Sequence, residues 1–331
     1  MNVLAIETSC DETACAVVSI KHPGEGRAVV LADVIHSQTL HARYGGVVPE
    51  IASRAHIEQV VPTARAALAT AGIDRPDAVA ATAGPGLIGA VLVGLSFAKA
   101  AALGWGVPFV AVNHLEGHLL SALLDDPAPA FPFLSLVISG GHTTLYEARG
   151  VGDYRVLCET TDDAVGEAFD KVARMLGLGY PGGPRVEQSA RTGNPRAINF
   201  PMPRPAASPM DLSFSGLKTA VRTRLERHPD SRTEDVAASF QDTVARYLVD
   251  RVLQGVALTG IRRVALGGGA AANGHIRDAM VATGLHVFLP PKARCTDNAA
   301  MIANVAALHL AAGRVASPLG TSARARWEVS A

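Results

Sequence analysis

The chain has 331 residues, of which 48% are hydrophobic and 18% charged, and its formal net charge is zero. This composition is typical of a folded globular protein and excludes a disordered chain. The length exceeds that of a usual single core, so we expect two lobes. With zero net charge, binding to a nucleic acid would have to rely on local patches of charge.

The first strands are predicted from short runs of apolar and β-branched residues. A long helical pattern follows over 49–71, with Pro62 as a possible kink. After a strand that ends in the turn GPG at 84–86, an apolar helix is predicted from Ile88. The predicted strands of this half are 3–8, 15–20, 28–35, 78–84 and 109–113.

The pattern restarts after a proline-rich connection, with strand, small polar turn and strand over 133–148. The turn at 139–143 has its counterpart in the first hairpin turn at 8–13. Two such starts suggest two related α/β lobes with a ligand between them; two unrelated hairpins are the alternative. Further helices are predicted over 162–178 and 233–259, and a last one that opens at Asp297.

Targeting and membrane segments are not indicated by the sequence. The start MNVLAIETSCDE has no basic leader, which argues against a signal peptide. The apolar stretch 88–103 is short and contains Lys99, so we expect a buried core helix. Four cysteines without a C-x-x-C spacing fit reduced thiols. These features predict a cytoplasmic protein of enzyme size.

The run NHLEGHLLS places His114 and His118 four residues apart with Glu116 between them. The zinc-protease signature is H-E-x-x-H, in which the glutamate is the general base. In H-x-E-x-H the histidines lie about 40° apart on a helix and the glutamate about 200° from the first. The pair is suited to a metal, but Glu116 faces away from it. Two ordinary helix histidines are the alternative.

A metal held by two histidines needs a further ligand, often a carboxylate. Asp297 in CTDN is a candidate, although an aspartate at the start of a helix is commonly just its N-cap. Small residues in the turns at 8–13, 84–86 and 266–273 favour contacts of the backbone with phosphate, with Asp11 or Glu12 near a cation or a reacting group. None of these turns is a P-loop or a dinucleotide fingerprint.

Several unusual strings occur in one order along nearly the whole chain, and together they are very specific. They are IETSCDET, YGGVVPEIASRAH, TAGPGLIGAVLVG, NHLEGHLLS, LVISGGHT, DDAVGEAFDKVARMLGLGYPGGP, LSFSGLKT and CTDNAAMIA. In these strings the chain resembles the tRNA N6-adenosine threonylcarbamoyltransferase family, formerly labelled O-sialoglycoprotein endopeptidase.

The resemblance implies a two-lobed, actin-like ATPase fold with duplicated lobes and a nucleotide and metal cleft between them. It implies transfer of a threonylcarbamoyl group from threonylcarbamoyl-AMP to the N6 amine of the adenosine beside the anticodon. The cofactor is expected to be one divalent metal, iron or zinc, and ATP or ADP is expected to bind the same cleft. The implied partners are tRNA, a paralogous actin-like protein and a small ATPase.

Residue by residue, the resemblance places the metal ligands at His114, His118 and Asp297. A catalytic contribution is expected from Asp11 and Glu12 in the first hairpin. The positions that match substrate or nucleotide binding are Val137, Ile138, Ser139, Gly140, Gly141, Asp170, Gly183, Glu187 and Asn273. One departure is the run GGGAAAN, where many relatives have a serine two residues before the asparagine. This difference concerns only the detailed contacts with the nucleotide.

The lobes are expected to comprise 1–114 with about 303–331, and about 115–302 with a helical insertion. The sequence does not single out the residues that contact RNA phosphates, since each candidate arginine also fits an ordinary solvated surface. These candidates are Arg191, Arg196, Arg204, Arg222, Arg224 and Arg227. A metalloprotease, a small-molecule kinase of the same fold class and a non-catalytic scaffold are the alternative functions.

Overall fold

The computed structural model describes residues 1–20, 28–203, 205, 208 and 210–329. The chain forms two compact units. The first comprises Met1–Ala128, Val151–Asp153 and Asp297–Ala331, and the second Pro129–Gly150 and Tyr154–Thr296.

Ten strands and nine helices of α type lie in the described part of the chain. The strands are β1 (Asn2–Glu7), β2 (Glu12–Ser19), β3 (Val29–Ser37), β4 (Ala78–Gly84), β5 (Phe109–Asn113), β6 (Phe133–Ile138), β7 (Thr143–Gly150), β8 (Asp153–Glu159), β9 (Arg263–Gly267) and β10 (His286–Phe288). The helices are α1 (Pro49–Ala71), α2 (Ile88–Trp105), α3 (His114–Leu119), α4 (Val165–Met175), α5 (Gly182–Ala190), α6 (Ser215–Arg227), α7 (Thr233–Thr259), α8 (Gly274–Val281) and α9 (Ala299–Ala311).

The two sheets have the same topology. The first has the order β3-β2-β1-β4-β5, with β1 antiparallel to β2 and parallel to β4. The second has the order β8-β7-β6-β9-β10, with β6 antiparallel to β7 and parallel to β9. In each unit a hairpin therefore supplies the central strand, and two later strands extend the sheet in parallel. The repeated order confirms the duplicated α/β architecture expected from the two hairpin starts.

Strand β4 reads as a continuous run of small and β-branched residues because all of its positions are buried. Helix α2 packs against this strand and buries Ala90, Leu95 and Ala98. Among the described residues, α2 is the one helix that is long and apolar enough to cross a membrane by length and composition. Leu95 and Ala98 belong to the hydrophobic core of the first unit, as predicted for a core helix.

The observed bounds of α1, α7 and β5 are those predicted. Helix α4, however, begins at Val165 rather than at 162. The Asp162 carboxylate instead accepts a hydrogen bond from the backbone N–H of Phe214 at 2.8 Å, just before α6. The carboxylate of Asp163 accepts hydrogen bonds from the Lys171 and Lys218 ammonium groups. These contacts hold the two aspartates outside the helix.

The expected lobe boundaries, after 114 and near 303, both fall inside the first compact unit. Helix α3 packs against α9, which keeps the segment 115–128 with that unit. The side-chain amide of Asn304 in α9 donates a hydrogen bond to the carbonyl of Leu120, just after α3. The proline-rich connection that follows α3 is therefore where the chain passes to the second unit.

Candidate functional site

The carboxyl ends of three parallel strands meet at one edge of the first sheet. Strand β1 ends at Glu7, β4 at Gly84 and β5 at Asn113. Helix α3 begins immediately after β5, and the side chain of Asn113 caps it by accepting a hydrogen bond from the backbone N–H of Leu115. This strand-to-helix junction fixes His114 at the edge where open α/β sheets usually bind ligands.

His114, His118 and Asp297 converge at this edge. Their three potential ligand atoms lie within 4.8 Å of one another. The Asp297 Oδ1 atom is 3.0 Å from His118 Nε2 and 3.5 Å from His114 Nε2. Two imidazole nitrogens and one carboxylate, with further positions open, form a donor set used by zinc enzymes and by non-haem iron enzymes. The geometry therefore fits a divalent metal.

Asp297 is not the N-cap of the last helix. Helix α9 begins at Ala299, and Asn298 caps it by accepting a hydrogen bond from the backbone N–H of Met301 at 3.0 Å. The capping alternative for Asp297 is thereby wrong, and so is the expected start of the helix. Because its neighbour caps the helix, the Asp297 carboxylate is available to the histidines.

Glu116 faces away from the two histidines, as the H-x-E-x-H spacing predicts. Its carboxylate oxygen Oε1 lies 2.8 Å from His309 Nε2 on α9. A general base of the zinc-protease type would instead have to face the metal. The position of Glu116 therefore argues against peptide hydrolysis and assigns this residue to helix packing.

Glu7, which was not predicted as a site residue, has a carboxylate that contacts His114. Glu7 is fully buried, and its Oε2 atom lies 3.0 Å from His114 Nδ1. Its carboxylate also accepts hydrogen bonds from the Thr82 hydroxyl and the Ser9 backbone N–H. An acidic residue that ends an otherwise apolar buried strand was the available signal, since buried carboxylates need a compensating partner.

The electrostatics of this cluster show strong coupling between its charges. Burial lowers the pKa of His114, but the carboxylates of Asp297 and Glu7 outweigh it and hold that pKa well above 6.5. Burial lowers the pKa of His118. The Nδ1 atom of His118 is buried and has no hydrogen-bond partner among the described residues. For Asp297, burial is outweighed by the two histidines, which hold the pKa of the carboxyl below its usual range.

Asp11 lies in the turn after β1, and Glu12 is the first residue of β2. Burial, together with the nearby carboxylates of Asp297 and Asp11, raises the pKa of Glu12 to about 9. The turn is held from α1 by His56, whose Nε2 lies 3.0 Å from the carbonyl oxygen of Cys10. The structure therefore places Glu12, with its raised pKa, in the same unit as His114, His118 and Asp297.

Replacing Glu12 with glutamine is expected to stabilise the metal-free protein, and more at pH 8 than at pH 5. The unfolded carboxyl ionises near pH 4.5, whereas the folded one keeps its proton to about pH 9. Between these values folding takes up a proton, so the stability linked to this group falls as pH rises. Glutamine takes up no proton. Thermal unfolding of the wild type and of Glu12→Gln in the presence of a chelator measures the two stabilities at each pH. The exposed Glu50→Gln is the control. A stability difference between Glu12→Gln and the wild type that does not change with pH would contradict the prediction.

In the second unit, parallel strands β6 and β9 also end at one edge, with Val137 opposite Gly267. Val137 and Ile138 are the buried last residues of β6, and the turn 139–141 follows them. The Ser139 hydroxyl accepts a hydrogen bond from the backbone N–H of His142. An added Cβ on Gly140 or Gly141 would meet nothing within 4 Å, so this stretch of backbone is open to a ligand.

A series of contacts joins the other predicted binding residues to this turn. The backbone N–H of Gly166, at the start of α4, donates to the carbonyl of Ser139. One helical turn later, the Asp170 carboxylate accepts from the backbone N–H of Gly182, beside Gly183 at the start of α5. Glu187, further along α5, accepts from the backbone N–H of Gly274 at 3.0 Å.

Asn273 precedes Gly274 and caps α8, accepting a hydrogen bond from the backbone N–H of Ile276 at 3.0 Å. Its side-chain amide donates to Gln241 on α7 at 2.8 Å. The structure thus connects all the predicted binding residues within the second unit. It also shows that Asp170, Glu187 and Asn273 have hydrogen bonds that maintain the fold. Gly166 and Gln241 were missed because neither stands out from its helix in the sequence.

A sequence profile of the tRNA N6-adenosine threonylcarbamoyltransferase family matches residues 29–304. A protein of that name from Anaeromyxobacter dehalogenans is 51% identical over 327 residues, which cover 96% of each chain. One from Trichlorobacter lovleyi is 49% identical over 338 residues, covering 99% of this chain and 96% of its own.

Among solved structures, HypF from T. kodakarensis matches with a TM-score of 0.64 at 16% identity, over 93% of this chain and 48% of its own. Component A of (R)-2-hydroxyglutaryl-CoA dehydratase from Acidaminococcus fermentans matches with a TM-score of 0.53 at 15% identity, over 94% and 99%. At such identities the likeness concerns the fold alone. Together with the duplicated sheets, it identifies the two-lobed, actin-like ATPase fold.

Proposed function

Because the chain belongs to the tRNA N6-adenosine threonylcarbamoyltransferase family, we propose that it transfers the threonylcarbamoyl group of threonylcarbamoyl-AMP to tRNA. The acceptor is the N6 amine of the adenosine beside the anticodon (position 37) in tRNAs that read codons beginning with A. The observation that carries this proposal is the convergence of His114, His118 and Asp297 within 4.8 Å.

The proposed cofactor is one divalent metal held by those three residues, iron in preference to zinc. The donor set and the burial of both histidines support a metal here. When bound, the metal supplies Lewis-acid polarisation of the acyl-phosphate anhydride and a template for its oxygens. The protein's task is to hold the two neutral imidazoles and the Asp297 carboxylate in place before the substrate arrives.

The substrate adenylate is proposed to bind the second unit. The open backbone of the turn 139–141 suits a phosphate, because small residues let N–H groups approach its oxygens. Asp170, Gly183, Glu187 and Asn273 are proposed to surround the nucleoside, and ATP or ADP would use the same residues. The Glu187 carboxylate accepts a hydrogen bond from the backbone N–H of Gly274, the residue after Asn273, so these two binding positions are neighbours in the fold.

In the proposed reaction the N6 nitrogen forms a bond to the carbamoyl carbon, and the bond from that carbon to the phosphate oxygen breaks. AMP leaves with the bonding electrons, and the nitrogen loses one proton. Asp11 is proposed to accept this proton. Glu12, the next residue, is proposed to donate a hydrogen bond in its protonated form to the developing negative charge.

The proposed partners are tRNA, a paralogous actin-like protein and a small ATPase, in the cytoplasm and without a membrane. Arg191, Arg196 and Arg227 are exposed and suited to RNA phosphates. Arg222 lies 3.9 Å from Glu226, and Arg224 donates to the Ser231 hydroxyl, so these two are partly occupied. Arg204 lies outside the described residues. Because the net charge is zero, tRNA affinity is expected to depend on the partner proteins as well.

The test is reconstitution of the purified chain with its partners, tRNA and threonylcarbamoyl-AMP. Mass spectrometry of the digested tRNA should detect threonylcarbamoyladenosine. The same preparation is assayed for cleavage of a glycoprotein and for phosphorylation of small hydroxy and carboxylic acids. Absence of modified tRNA with a complete partner set would contradict the proposal, and chelator-sensitive proteolysis or stoichiometric phosphorylation would favour an alternative function.

A further inference from the structure

We infer that Glu7 is a positioning residue of the metal centre, whose carboxylate fixes the ring of His114 so that Nε2 faces the metal. The inference rests on the metal site of the proposed function and adds a residue outside the three ligands. Histidines that bind metals usually donate their other ring N–H to a carboxylate, a carbonyl or water, and such partners strengthen the binding.

The geometry of His114 has this form. Its Nε2 atom is directed at Asp297, 3.5 Å away, and its Nδ1 atom lies 3.0 Å from the carboxylate of Glu7. A neutral imidazole carries one N–H and one lone pair. Because an ionised carboxylate can only accept, a proton on Nδ1 is favoured, which leaves the lone pair of Nε2 for a metal.

Glu7 is itself held rigidly, which a positioning residue requires. It ends β1, the central strand of the sheet, which is paired with β2 on one side and with β4 on the other. The Thr82 hydroxyl on β4 donates to the same carboxylate oxygen that faces His114. The backbone N–H of Ser9 donates to the other oxygen.

The burial of the Glu7 carboxylate explains why it requires a compensating positive charge nearby. Glu7 has no exposed surface, and a buried carboxylate is costly unless a positive charge lies nearby. With a neutral His114 donating to it through Nδ1, the carboxylate would have a metal cation at Nε2 as its compensating charge. His118 differs, because its Nδ1 atom has no partner among the residues that the structure describes. Glu7 therefore acts on one of the two histidine ligands.

The chain also contains a matched control. Glu116 is another buried glutamate whose carboxylate meets a histidine nitrogen, His309 Nε2, at 2.8 Å. Its histidine is not a metal ligand. Loss of either carboxylate removes a buried contact between a glutamate and a histidine, but only the loss of Glu7 should affect the metal.

The experiment titrates the full-length, metal-free chain with Zn²⁺ in competition with a chelator, and with Co²⁺ followed by its visible absorption. Glu7→Gln is expected to weaken Zn²⁺ binding by about 10- to 100-fold and to alter the Co²⁺ spectrum. Glu116→Gln is expected to bind both metals within about twofold of the wild type. Circular dichroism and thermal unfolding of the metal-free variants check that both are folded.

Zn²⁺ affinity of Glu7→Gln equal to that of the wild type, or an equal loss in Glu116→Gln, would overturn the inference. If Glu7→Gln does not fold, Thr82→Val decides. It removes one donor to the carboxylate but keeps its charge, so at least threefold weaker binding supports the inference and unchanged binding overturns it. A wild-type chain that binds no metal would instead contradict the proposed metal site, which separates the two failures.

Discussion

Replacement of Asp297 with alanine is expected to abolish stoichiometric metal binding and to lower tRNA modification by about 100-fold or more. The Asp297 oxygen is the atom on which both histidine Nε2 atoms converge, at 3.0 and 3.5 Å. Without it, two imidazoles remain, and the ligand set has no negative charge to balance a divalent cation. Elemental analysis of the purified variant and the reconstituted assay measure the two effects.

The adjacent Asn298 provides the control for this prediction. Asn298→Ala removes the cap of α9 and should cost about 1 kcal/mol of folding stability, as cap removals usually do. Its metal content should remain that of the wild type, because the Asn298 side chain is directed at the helix backbone. Full metal content in Asp297→Ala, or loss of metal in Asn298→Ala, would show that the ligands are assigned wrongly.

Replacement of Gly166 with alanine is expected to raise the KM for threonylcarbamoyl-AMP by about tenfold or more, at unchanged metal content. A Cβ on Gly166 would lie 2.7 Å from the Ser139 carbonyl oxygen and 2.8 Å from the Gly140 Cα. Both are backbone atoms, so the turn 139–141 or α4 must move. Such overpacking typically costs 1–3 kcal/mol, so the melting temperature should fall as well.

Gly216→Ala is the matched control, because an added Cβ there meets nothing within 4 Å. It also lies in a helix of the second unit, so alanine should be neutral or slightly stabilising. Kinetics with varied adenylate and saturating tRNA separate the two variants. A wild-type KM in Gly166→Ala would mean that the turn does not hold the substrate.

Much of the fold was predictable because its signals are local. Helix α1 runs from a proline at its first position to a glycine just after its end, and both bounds were predicted. The duplication was predictable because the pattern of strand, small polar turn and strand occurs twice in the sequence. The same strand order in the two sheets confirms it. The start of α4 was not predictable, because Asp162 does not belong to α4. Its carboxylate accepts a hydrogen bond from the backbone just before α6, about fifty residues later along the chain.

The metal site was predicted by two different routes. The helix spacing excluded Glu116 as a base, and the contact with His309 agrees with that reasoning. The third ligand came from the resemblance, since the sequence alone could not distinguish Asp297 from a helix cap. Glu7 was missed because its role depends on Thr82 and His114, which become its neighbours only when the parallel strands pair.

The separation of the ligands along the chain has a consequence for how the protein is made. His118 and Asp297 are 179 residues apart, and at usual ribosomal speeds of about 5–20 residues per second the second follows the first by roughly 10 to 35 s. During that interval a nascent chain has both histidines but not yet their carboxylate. Helix α9 adds its contacts to α3 only afterwards. With the proposed ligands, tight metal binding would therefore begin only after synthesis has passed Asp297.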